Sequence, residues 1–234
     1  MRVALVPLNP TVGFIAGNAA AISIGVKAAH AAGADLAIFP ELALCGYPPK
    51  DLLMQEGFLE ECHAATIEKP NGITIAYGLP RRNARGGICN SLRIIDAQQR
   101  TFTYDKRLLP TYDVFDEDRY FTPGNQPLVV DVAGVKVGFA ICEDLWRGVD
   151  AGFASRYHDA PDPVSELMQA EGGKCAQLII SPSASPFVLG KNSKHREIVR
   201  AHALRHGVAV ASVNQLGGND ELVFDGHAFI YDPT

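Results

Sequence analysis

Residues 2–41 read RVALVPLNPTVGFIAGNAAAISIGVKAAHAAGADLAIFPE. Residues 2–8 alternate in strand fashion. Ile15, Ala19, Ile22, Val26 and Ala29 then recur at spacings of four, three, four and three, which marks an amphipathic helix. Gly33 ends that helix, residues 35–39 form a short apolar strand, and Pro40 closes it. A strand, a helix and a second strand in one short run are the opening unit of an α/β protein.

Beyond this unit, Met54, Phe58, Cys62 and Ala65 make a second helical stripe. Residues 73–79 predict a strand, and 89–96 with 101–105 predict a hairpin. Residues 106–125 read as a long loop rich in charge and aromatics. A further hairpin is expected over 128–132 and 135–141, turning at Ala133-Gly134. Then follow a helix at 164–171, a buried strand at 177–180, a helix at 193–206 stopped by Gly207, and strands at 208–213 and 226–231. Two helix-bearing halves flank a hairpin-rich middle, which suits two sheets packed face to face with helices outside. No linker, low-complexity tract or repeat interrupts the chain, so 1–234 reads as one domain.

Composition narrows the function. Lys plus Arg is 21 and Asp plus Glu is 26, a formal charge of −5, which argues against a nucleic-acid binder. The hydrophobic fraction of 47% and charged fraction of 20% are those of an ordinary soluble globular protein. No apolar run approaches the roughly 20 residues needed to span a bilayer. The N-terminus, broken by Pro7 and Pro10, lacks the pattern of a signal peptide. Five cysteines at wide spacings, with no CxxC, argue against a disulfide framework or structural zinc site and fit reduced thiols in the cytoplasm.

The informative pattern is positional. Glu41 directly follows the strand 35–39, Lys106 follows 101–105, and Cys142 follows 135–141. In α/β folds ligands bind beyond the carboxyl ends of strands, so a carboxylate, an ammonium and a thiol at three such ends are candidates for one pocket. Their chemistry suits acyl transfer. A thiol needs a base to become a nucleophilic thiolate, and Glu41 is the candidate base. Lys106 and backbone N–H groups after Cys142, beginning at Glu143, would hold an oxyanion.

Three segments carry a resemblance: FPELALCGYPPKDLL (39–53), YDKRLLPTYDVFDEDRYFTPG (104–124) and GFAICEDLW (138–146). Together they resemble the Glu–Lys–Cys signature of the nitrilase, or carbon–nitrogen hydrolase, superfamily. More narrowly they resemble the glutaminase domains of glutamine-dependent NAD synthetases, and residues 181–197 and 214–232 agree. The resemblance implies a four-layer α-β-β-α sandwich. It implies Glu41 as general base, Lys106 as oxyanion stabiliser and Cys142 as the nucleophile that forms a glutamyl thioester. Glu117 would help hold the lysine and substrate. Tyr112, Ser185 and Lys191 match glutamine-binding positions, and Trp146 would line the pocket.

The implied reaction is hydrolysis of the L-glutamine side-chain amide, with no metal or organic cofactor. Ammonia would pass to an NAD synthetase domain that uses ATP with Mg to amidate nicotinic acid adenine dinucleotide. That domain is not in this chain, which reads as truncated at its C-terminal end. A homo-oligomer is the default expectation. The alternatives are a stand-alone amidase or carbamoylase acting on another small amide, and a non-catalytic ammonia-routing or interaction domain.

Other features take plainer readings. Cys62 on its helical stripe, Cys89 in a strand and Cys175 before one are expected to be packing residues. Cys45, in a loop near Glu41, is the rival nucleophile. Asp144 is expected to cap a short helix starting near Leu145. His202 and His206 are four apart, but without the Glu of HExxH they predict a solvated helix face. Residues 217–220 faintly resemble a phosphate loop but lack its leading serine.

Overall fold

A computed structural model describes residues 1–147, 157, 159–169 and 175–234, with Lys191 described in its backbone alone. The first sheet contains β1 (Val3–Leu5), β2 (Leu36–Ile38), β3 (Thr74–Arg82), β4 (Ile88–Ile95) and β5 (Thr101–Asp105), in that order. β1, β2 and β3 are parallel, so each needs a crossover. Helices α1 (Ile15–Ala31) and α2 (Phe58–Ala64) supply them. β3, β4 and β5 are antiparallel and need only short turns.

The second sheet contains β6 (Val129–Val132), β7 (Val135–Phe139), β8 (Leu178–Ser183) and β9 (Ala209–Asn214). Helices α3 (Pro163–Gln169) and α4 (Lys191–His206) lie between its parallel strands. A two-stranded ribbon, β10 (Leu216–Asn219) with β11 (Leu222–Asp225), leads to β12 (Ala228–Tyr231), which pairs antiparallel with β9. The β6–β7 turn falls at Ala133-Gly134 as expected, with both residues at positive φ.

The layers follow from the period of two along each strand. Leu36, Ile38, Ala76, Leu92 and Ile94 of the first sheet pack against Val137, Phe139, Leu178, Ile180, Ala211 and Val213 of the second. On the outer face of the first sheet, Ala37, Ile75 and Tyr77 meet Ile22 and Val26 of α1 and Phe58 of α2. On the outer face of the second, Ile179 and Val210 meet Val164 and Leu167 of α3 and Ile198 and Ala203 of α4. The expected four-layer α-β-β-α sandwich is the structure observed.

Several local expectations need correction. Met54 belongs to a 3-10 turn, Lys50–Met54, and is exposed rather than part of the α2 stripe. The β10–β11 ribbon is additional, its signal weakened by Gly217 and Gly218, which have no side chains to show a face. α4 begins two residues before the expected start, at Lys191. The expected helix at 164–171 starts at Pro163, and its end at 170–171 lies outside the described residues. Cys175 is exposed, because it precedes β8 by three residues and lies outside the sheet packing. His202 is buried, its Nε2 lying 2.7 Å from the Leu145 carbonyl oxygen, because this side of α4 faces the second sheet. Among the described residues no helix is long and apolar enough to cross a membrane.

Candidate active site

The three strand ends do converge. Glu41 sits in a tight turn after β2, where Ala43 N–H bonds the Pro40 carbonyl and Gly46 N–H bonds that of Leu42. This turn lies directly on β3 at Gly78. A Cβ added there would come within 2.1 Å of Leu42 N, so only glycine lets the two backbones meet. Lys106 leaves β5 with its N–H bonded to the Asn90 carbonyl, 2.8 Å away. Cys142 opens a 3-10 turn, Cys142–Leu145, beyond β7. Its φ is +45°, a left-handed conformation that L-residues seldom adopt.

Lys106 Nζ donates to Glu41 Oε1 at 2.6 Å and to Glu117 Oε1 and Oε2 at 2.8 and 2.9 Å. Glu41 Oε1 also accepts from Asn90 Nδ2 at 2.7 Å, and its Oε2 accepts from the Ala184 N–H at 2.9 Å. Tyr47 donates its hydroxyl to Glu117 at 2.9 Å. Glu41 and Lys106 are each 1% exposed, Glu117 4% and Cys142 6%. Charges this deeply buried require partners, and each of the three ionic groups has them.

The electrostatics follow from one ammonium facing two carboxylates. Burial pulls Lys106 towards neutrality, but Glu117 and Glu41 outweigh it and hold the ammonium well above its ordinary value. Glu117 is pushed up to about 7, by burial first and by Glu41, against the attraction of Lys106. Burial and the charge of Glu41 push the Cys142 thiol well above the ordinary range, with Lys106 opposing. The resting nucleophile is therefore a thiol, and it reacts only if a base removes its proton as it attacks.

The family description of carbon–nitrogen hydrolases matches residues 2–151. This chain belongs to the carbon–nitrogen hydrolase family. Among proteins similar to this hydrolase is the glutamine-dependent NAD(+) synthetase of Synechocystis sp., 40% identical over 97% of this chain and 41% of the relative. That of Thermotoga maritima is 36% identical over 100% of this chain and 38% of the relative. The chain thus spans about two fifths of the length of these relatives. A solved glutamine-dependent NAD+ synthetase from Acinetobacter baumannii superposes with a TM-score of 0.86, at 30% identity over 99% of this chain and 41% of that one. An amidase from Nesterenkonia sp. superposes with a TM-score of 0.78, at 25% identity over 100% and 82%.

Of the remaining expected residues of this hydrolase, Tyr112 and Trp146 lie at the same turn. Tyr112 donates to the buried carboxylate of Glu143 at 3.0 Å, and Tyr157 donates to the same carboxylate at 2.7 Å. Ser185 is buried beside His195, its Oγ 3.3 Å from Nε2, and its N–H bonds Asn214 Oδ1 at 2.8 Å. Trp146 stands edge-on to His195 and, with Cys142, Ser183 and Ser212, lines a cavity of about 10 Å³. Lys191 begins α4, and its side chain lies outside the described residues. The rival Cys45 is fully buried with Cys62 behind the first sheet, away from this cavity. Among the described residues no group of His, Cys, Asp or Glu side chains is arranged to hold a metal ion.

Sequence reasoning passed over Asn90, Tyr47, the Glu143 side chain and Tyr157. One signal was available for Asn90: with Ser91 it forms a buried polar pair inside the strand ICNSLRII. Asp144 does cap a turn, but one that begins at Cys142 rather than at Leu145.

Proposed function

We propose that this hydrolase cleaves the side-chain amide of L-glutamine through a thioester on Cys142. The observation that carries the proposal is the buried Glu41–Lys106–Glu117 triad beside the Cys142 turn. As Cys142 Sγ attacks the amide carbon, its proton passes to Glu41. The oxyanion faces Lys106 and the backbone N–H groups from Glu143 onward. Collapse breaks the C–N bond while Glu41 returns the proton to the departing nitrogen, releasing ammonia. Water then attacks the thioester and gives its proton to Glu41. The C–S bond breaks, glutamate leaves, and the thiolate recovers the proton.

In this scheme Glu117 holds Lys106 against the substrate. Tyr112, Ser185 and Lys191 bind the amino acid, and Trp146 closes the pocket wall. The curated relatives named above favour glutamine as substrate. By the same likeness, ammonia goes to a synthetase domain that consumes ATP with Mg and amidates nicotinic acid adenine dinucleotide. We place the protein in the cytoplasm and expect it to form homo-oligomers.

The likeness to the Nesterenkonia amidase favours a second reading, a stand-alone amidase for another small amide. Intact mass after treatment with the glutamine-like electrophile diazo-oxo-norleucine tests the first. We expect one adduct, absent in Cys142→Ala, and ammonia release from glutamine at least about tenfold faster than from simple aliphatic amides, a preference of about 1.4 kcal/mol. An adduct on Cys45, or no preference for glutamine, overturns it.

A further inference from the structure

The Asp144 carboxylate accepts four hydrogen bonds while only 1% exposed. Oδ1 takes the N–H groups of Arg107 and Leu108 at 3.0 and 2.9 Å. Oδ2 takes the Tyr104 hydroxyl at 2.8 Å and the Ile141 N–H at 2.9 Å. Four donors fill the acceptor capacity of a carboxylate.

Capping the Cys142 turn needs only the Ile141 bond. The other three reach residues that bracket Lys106: Tyr104 two positions before it, Arg107 and Leu108 directly after it. β5 ends at Asp105, so the N–H groups of Arg107 and Leu108 lie beyond the sheet ladder. Asp144, two residues past the nucleophile, receives them. Arg107 is in turn clamped by Glu166 of α3, through contacts of 2.9 and 3.0 Å. Lys106 belongs to the first sheet and Cys142 to the second.

We propose that Asp144 is a positioning residue that fixes Lys106 relative to Cys142, and so fixes the oxyanion pocket. The inference rests on the glutamine reading and adds a determinant to it. No shorter or neutral side chain meets the same set of donors. An asparagine would keep an acceptor for Arg107 and Leu108 but would point its amide at the Ile141 N–H, donor against donor.

Removal of Asp144 therefore acts on the step that needs Lys106 and Cys142 in register. It leaves substrate affinity and the bare reactivity of the thiol largely unchanged. The test compares wild type, Asp144→Asn and Tyr104→Phe in two alkylations followed by intact mass. With diazo-oxo-norleucine, the diazo carbon takes a proton and the sulfur displaces dinitrogen from it while the adjacent ketone oxygen is held in the oxyanion pocket. Iodoacetamide needs the thiol and its base but no oxyanion pocket.

For diazo-oxo-norleucine, the maximal labelling rate should fall by roughly tenfold to a hundredfold in Asp144→Asn, the scale of an ångström of misplacement, and about threefold in Tyr104→Phe. The half-saturating concentration and the iodoacetamide rate should each stay within about 1.5-fold of wild type, as for an interaction made only in the transition state. An Asp144→Asn protein that labels at the wild-type maximal rate overturns the proposal. So does an iodoacetamide rate that rises as the other falls, the mark of general loosening. If Asp144→Asn does not fold, Tyr104→Phe decides by the same criteria. A wild type that takes no diazo-oxo-norleucine adduct overturns the glutamine reading itself, and this inference with it.

Discussion

Lys106 holds Glu41 and Glu117 on one ammonium, and the two carboxylates cannot be equally ionised at low cost. Glu117 carries the consequence, with a value near 7 against an ordinary 4.5. The folded state thus binds a proton that the unfolded chain has released between those two values. Stability contributed by this group is lost as pH rises from about 4.5 through about 7, the reverse of an ion-paired surface carboxylate. The same ionisation places a negative charge beside Cys142 and opposes its thiolate. We predict that iodoacetamide labels Cys142 at equal rates in wild type and Glu117→Gln below pH 7. Above it the wild type should lag. Parallel curves across the whole range would show that Glu117 does not titrate there.

At the scale of elements, the Glu41 turn and β3 approach through Gly78. Leu44 N–H bonds the Gly78 carbonyl at 3.0 Å, so the turn is fastened to the strand as well as packed on it. Gly78→Ala forces the turn outward and takes Glu41 from Lys106. We expect a loss of about 1–3 kcal/mol in urea denaturation, the range for overpacking, and a drop of about tenfold or more in the maximal rate of diazo-oxo-norleucine labelling. Wild-type stability with wild-type labelling would mean the strand yields instead. This scale also marks how far the sequence is legible. Apolar runs announce β2, β7, β8 and β9, the alternation of TFTYD announces β5, and the chemistry that follows three of these strands announces Glu41, Lys106 and Cys142. The partners of Asn90, Tyr47 and Asp144 leave no such mark, because they lie 49, 70 and up to 40 residues away and no local period encodes that distance. His202 reads as solvated from sequence because the Glu of HExxH is missing and His195 and Arg196 make this helix polar. One face of α4 meets the sheet, and polarity alone did not tell which.

In the whole molecule, the site is shared by two sheets. Glu41 and Lys106 come from the first sheet, Cys142, Asp144 and Ala184 from the second. Such a site can exist only while the sheets are stacked. Trp146, the sole tryptophan, lies next to the Cys142 turn in the outer layer between the second sheet and its helices, and reports on the folding of that half. Its fluorescence and the capacity of Cys142 to take the glutamine-like label should therefore be lost at the same urea concentration. Labelling lost well before the fluorescence changes would mean that the site opens on its own. The bond from the Ala184 N–H to Glu41 Oε2 has a mechanical consequence. It makes the reaction a gauge of shear between the sheets. A repacking of Phe139 or Ile180 in the inner layer that preserves volume costs little stability, yet it can slide one sheet over the other by a fraction of an ångström. Such a change is nearly invisible to a melting curve but registers in turnover, so the inner core of this protein answers to chemistry as well as to folding.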